Sequence, residues 1–124
     1  MDQDILVKSG HLLIEKLEAK GLKIGGAMWV HNTDIDTWRL WLVPTKKMKD
    51  ERDFYRRVVE TIRENQGEMR GLDASDTELV SPNHPAIKAL SRLFKLTGKS
   101  SMHLSNNKLD DFYLTDGIVL QMDL

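Results

Sequence analysis

The chain has 124 residues, 40% hydrophobic and 30% charged, with 18 basic and 19 acidic side chains and a net charge of −1. That length suits one domain over residues 1–124 with a core of its own. The charge balance excludes a whole-molecule attraction to nucleic acid or anionic membrane, and the lack of cysteine excludes disulfides and thiolate chemistry within the chain.

Ile5 to Lys20 reads as an amphipathic helix. Leu6, Gly10, Leu13 and Leu17 share one face, with Val7 and Ile14 beside them, and Gly21 follows as a stop. Gly10 lowers helix propensity by about 1 kcal/mol against Ala, so its expected use is close approach of the helix to a sheet. Ile24 to His31 and Thr37 to Pro44 read as strands joined by the turn residues Asn32 to Asp36, an antiparallel hairpin. Neither strand alternates cleanly, which predicts apolar contact on both faces and a central place in the sheet.

Asp50 to Gln66 reads as a second helix, capped by Asp50 and stopped by Gly67, with Phe54, Tyr55, Val58 and Ile62 inward and a mixed Arg/Glu face outward. A polar stretch from Glu68 to Asp76 leads to a short strand over Thr77 to Ser81. Pro85 opens a third helix running to Thr97, with Ile87, Leu90, Leu93 and Phe94 inward and Gly98 as the stop. Ser100 to Ser105 reads as a strand and Asn106 to Asp110 as a turn. Phe112 to Leu114 and Ile118 to Met122 complete a closing hairpin, in which Asp116-Gly117 marks a tight turn or bulge. The order αββαβαββ contains two strand–helix–strand passages, hence at least one parallel pair. The predicted class is α+β: a single mixed sheet of about five strands with three helices.

No diagnostic catalytic motif, phosphate loop or dinucleotide pattern is present. The sequence therefore assigns no catalytic residue, no cofactor and no metal ligand. Its most distinctive stretch runs from Leu79 to Leu109 without an acidic residue and carries Lys88, Arg92, Lys95, Lys99 and Lys108 between acidic flanks. Ser81, Asn83 and His84 precede the third helix at the end of a strand, where donors can meet a small ligand; the same residues also read as a helix cap and a proline-set turn. Lys88, Arg92, Lys95 and Lys99 recur at spacings of four, three and four, so they share a helix face. Such a stripe reaches ~4 phosphates, or it is the outward face of an ordinary amphipathic helix, compensated by the acidic C-terminal hairpin.

The four histidines are dispersed. His31 with Asp34 and Asp36 reads as a polar turn or an oxygen/nitrogen metal site at the hairpin tip. His11 falls at the edge of an apolar stripe, and alternation turns His103 toward solvent or a partner. A Ser–His–Asp arrangement is a matter of space and not of order. Trp29, Trp41, Met102 and Met122 are the candidates for soft or aromatic contact area at an interface, and an exposed edge on the closing hairpin invites strand pairing into a dimer.

The helix ending at Lys20-Gly21, the strand Ala27-Met28-Trp29-Val30 followed by Trp38-Arg39-Leu40, Val80-Ser81-Pro82-Asn83 before a helix, and the hairpin from Asn106 to Met122 resemble a group of small, uncharacterised bacterial proteins. The resemblance covers nearly the whole chain and implies a self-contained unit, but no activity. The acidic start Met1-Asp2-Gln3-Asp4 lacks the features of a signal peptide, and no apolar run approaches the ~18 residues needed to span a bilayer. The expectation is a non-enzymatic cytoplasmic accessory domain, without a membrane partner, that works through a protein partner or as a homodimer. The alternative is nucleic-acid or phosphate-anion binding through helix 85–97. A small hydrolase or nuclease at Ser81, Asn83 and His84 stands third.

Overall fold

A computed structural model describes residues 3–69 and 71–124. The helical spacing of Leu6, Leu13 and Leu17 makes α1, Gln3–Ala19, and buries those residues with Gly10 and Ile14. Gly10 meets the sheet as expected, since a Cβ there would run into the Leu120 side chain. Close by, the Trp29 indole donates to the Leu6 carbonyl at 2.8 Å.

β1 (Ile24–Asn32) and β2 (Thr37–Pro44) form the first antiparallel hairpin. Ala27, Trp29, Leu40 and Leu42 enter one core and Met28, Trp41 and Val43 the other, so both faces are apolar and the pattern does not alternate. A register shift between Ile24 and Gly26 also puts Ile24 and Ala27 on one face. α2, Glu51–Glu64, is capped by the Asp50 side chain, which accepts from the Arg52 amide at 2.9 Å, and it buries Phe54, Val58 and Ile62. A single 3-10 turn, Ala74–Asp76, leads into β3, Thr77–Leu79.

α3, Pro85–Leu93, is shorter than the sequence predicts, and Leu93, expected inward, is 70% exposed. The chain leaves the helix at Phe94 because Leu96 exchanges two backbone hydrogen bonds with Met122, of 3.0 and 2.8 Å. β4 (Met102–Leu109) and β5 (Phe112–Met122) follow. The turn falls at residues 110–111. Asn106-Asn107 lies inside β4, Asn106 with φ of 52°, and β5 is one continuous strand. Asp116-Gly117 is thus neither turn nor break: Gly117 pairs with Val30 and Leu104, and its missing side chain leaves room for Leu114 to fold over the sheet.

The sheet order is β3-β2-β1-β5-β4, with β2 and β3 parallel and every other pair antiparallel. The protein is α+β, one mixed five-stranded sheet with three helices. Only the first strand–helix–strand passage makes a parallel neighbour; the second, through α3, carries the chain from one edge of the sheet to the other. α1 and α2 pack one face around Trp29, Leu40 and Phe54, while α3 packs the other around Met28, Trp41 and Val119. Among the described residues no helix is long and apolar enough to cross a membrane.

Candidate functional site

Ser81, Asn83 and His84 come together as a turn. The Ser81 hydroxyl accepts from the Asn83 amide at 3.0 Å, and His84 Nδ1 accepts from the Ala86 amide at 3.1 Å, capping α3. The His84 ring stands edge-on to Trp41 and Phe112, with centroids 4.8 and 5.2 Å away, and those two rings are 5.3 Å from each other. Burial pushes the His84 imidazole below its ordinary pKa, against the opposing pull of Glu78. It is therefore neutral at pH 7, with its acceptor nitrogen committed to the cap.

A cleft of about 470 Å3 opens beside this turn, at the C-terminal ends of the parallel pair β2 and β3. Ser81 and Asn83 line it with Lys46, Lys47 and Glu51, whereas His84 faces the aromatic cluster instead. The His84 amide donates to the Ser81 carbonyl at 3.1 Å, but among the described residues no side-chain hydrogen bond joins the Ser81 hydroxyl to the His84 ring. A serine without a base beside it does not assemble nucleophilic chemistry.

The expected basic stripe is broken, because α3 ends at Leu93 and only Lys88 and Arg92 lie on it, while Lys95 and Lys99 follow in the extended segment drawn toward Met122. Arg92 pairs with Asp110 at 3.1 Å and Lys95 with Asp123 at 3.5 Å, so acidic residues near the C-terminus neutralise two of the four cations. Lys88 is exposed, and among the described residues it has no ion pair. Lys88 on α3 and the distant Lys99 beyond it are a weak footprint for a polyanion.

The interface candidates divide by burial. Trp29 and Met122 are 1% and 0% exposed and lie in the two cores, so neither offers area to a partner. The helix layers cover both faces of β1 and β5 at these positions, which removes both residues as interface candidates. Trp41 is buried, while Met102 is 38% exposed. His31 binds Asp36 at 2.8 Å, while the Asp34 amide donates to Asn32 Oδ1 and its carboxylate has no ion pair among the described residues. Among the described residues no three His or carboxylate groups gather to hold a metal.

His103, Ser105 and Asp116 do meet, on the outer part of β4 and β5, but both His103 and Ser105 address the same Asp116 oxygen. The aspartate is the hub, so the serine is not activated by the histidine. His11 donates to the Ser100 carbonyl at 2.9 Å, tying α1 to the segment before β4; burial is the main cause of its lowered pKa. No family model, curated protein or solved structure matches the chain.

The two sheet edges differ. β3 is three residues long, and the outward amide of Leu79 donates to the Tyr55 hydroxyl at 2.9 Å, which closes that edge. β4 is eight residues long, mostly exposed, and forms the last strand of the sheet. Lys99 before it and Asp111 after it are exposed, and neither has an ion pair among the described residues. Sequence reading flagged the strand-pairing hairpin but missed the polarity of charge along it, which the basic run and its acidic flank already carry.

Proposed function

We propose that this protein is a non-enzymatic association module that pairs with a second copy of itself through the open edge of β4. The observation that carries the reading is the order of unpaired charge along that edge, Lys99 first and Asp111 last. Antiparallel pairing about Ser105 sets Lys99 of one copy near Asp111 of the other, twice, and sets Met102 against the stem of Lys108. No like charges meet. Parallel pairing would set Lys99 against Lys99. Exposed ion pairs contribute ~0–1 kcal/mol each, so here they select orientation and register. The backbone groups of β4 and the exposed apolar area of Met102 and Leu93 supply the affinity. A cytoplasmic setting belongs to the same reading and is supported by the cysteine-free composition.

Light scattering after size exclusion, at high micromolar concentration, tests it. The expected mass is twice 14.3 kDa. Lys99→Glu and Asp111→Lys should each weaken dimerisation about tenfold, a loss of about 1.4 kcal/mol, and the double variant should restore it. A monomer at that concentration, or single swaps without effect, would remove the reading. Both residues are exposed, so folding is not at stake.

A further inference from the structure

On the half of the sheet that α3 leaves uncovered, a cavity of about 340 Å3 lies between the two β-hairpins. Arg39 on β2 and Glu78 on β3 both line it. They carry opposite charges, yet neither has an ion pair among the described residues. The Arg39 guanidinium makes one long bond, from Nη2 to the Thr77 carbonyl at 3.4 Å. Its Nε is buried without any acceptor. A buried donor left unsatisfied costs about 1–3 kcal/mol, more when charged. Such a group asks what acceptor it is waiting for.

The walls limit the answer. Trp41 stands beside Glu78 across the β2–β3 ladder and one same-face step from Arg39. Phe112 packs edge-on against Trp41, and His84 braces both rings, so an aromatic wall of edges and faces adjoins the two charges. Tyr113, 59% exposed, stands at the cavity with its hydroxyl donated to Asn106 at 3.0 Å. Glu78 in the same space disfavours a phosphate dianion, whereas a carboxylate suits the planar fork of Arg39. An anion for Arg39, a cation for Glu78 and a flat apolar body together describe one class of molecule. The size is at the small end of ligand sites, room for about a dozen non-hydrogen atoms.

We infer that this cavity binds a free zwitterionic amino acid with a flat apolar side chain, its carboxylate on Arg39, its ammonium on Glu78 and its side chain against Trp41 and Phe112. Titration calorimetry on the full chain tests it with three probes. L-phenylalanine should bind, while 3-phenylpropionate, which lacks the ammonium, and phenethylamine, which lacks the carboxylate, should each bind at least about tenfold more weakly. Arg39→Gln should abolish L-phenylalanine binding. Glu78→Gln should weaken L-phenylalanine binding and leave 3-phenylpropionate unaffected. If Arg39→Gln does not fold, amide shifts in the unaltered protein decide: L-phenylalanine should move Arg39, Glu78 and Phe112 and leave α1 still. No heat at millimolar L-phenylalanine, or equal binding of all three probes, overturns the inference.

Discussion

On one side of the sheet, helices of 17 and 14 residues lie over β1, β2 and β5, and Leu13, Trp29 and Phe54 have 0–1% of their surface left exposed. On the other, a nine-residue helix and side chains of the β4–β5 hairpin share the work, and a cavity lined by an arginine without an ion pair among the described residues lies between the hairpins. The first side behaves as a core, and among its described residues no buried side-chain donor or acceptor lacks a partner. The second leaves a cavity open between the hairpins. Stability and the proposed binding thus fall on different faces of one sheet, as expected when working surfaces come from the least-covered parts of a scaffold.

The sharpest way to break that comparison is to truncate one leucine on each side. Leu13→Ala, at a fully buried position, should cost about 2–5 kcal/mol in chemical denaturation. Leu93→Ala, at a 70% exposed one, should stay within about 0.5 kcal/mol. Equal losses would mean that α3 is as essential to the core as α1. A smaller effect is expected at the cap: His84→Ala should destabilise by about 1 kcal/mol, and His84→Asn should recover most of it by capping α3 with its own oxygen.

The least effect comes from pH. His11 and His84 both have native pKa values below the unfolded value of about 6.5, each chiefly through burial. Above that value neither state is protonated and their contribution is intact. As pH falls below it, the unfolded chain takes up protons first, so stability declines toward their native pKa values. Asp53 and Asp73 are also depressed, the first mainly by the Arg56 bond and the second by the Ser75 amide, and their contributions are lost only below about 3.8. The melting temperature should therefore fall between pH 7 and 5, and fall less in His84→Asn. A melting temperature that rises over this interval would contradict the burial of both imidazoles.

Local signals carried the helices and the first hairpin, because their apolar spacing and caps are set within a few residues. Long-range pairing was not legible. Phe94 to Thr97 continues the helical pattern of α3, yet Leu96 is drawn into backbone bonds with Met122, twenty-six positions on, and the helix ends at Leu93. Asn106-Asn107 carries the usual composition of a turn, and Asn106 does adopt a left-handed conformation. The chain uses it as a kink within β4, because β5 runs alongside far enough to hold the strand together. Of the site candidates, the Ser81–Asn83 turn was legible and the separation of the Ser81 hydroxyl from the His84 ring was not, since aromatic neighbours from β2 and β5 set the ring's direction. Arg39 was passed over, although a lone cation within the apolar run from Trp38 to Val43 is an unusual place for a charge.

Tyr55 has a consequence beyond holding β3 in place. With its hydroxyl on the Leu79 amide, the sheet is left with one end that can be extended and one that cannot. Under the pairing proposed for β4, growth by strand addition terminates after a single joining event. That pairing predicts closed twofold pairs and no sheet-wise fibrils, even at the high local concentrations where two-ended sheets aggregate.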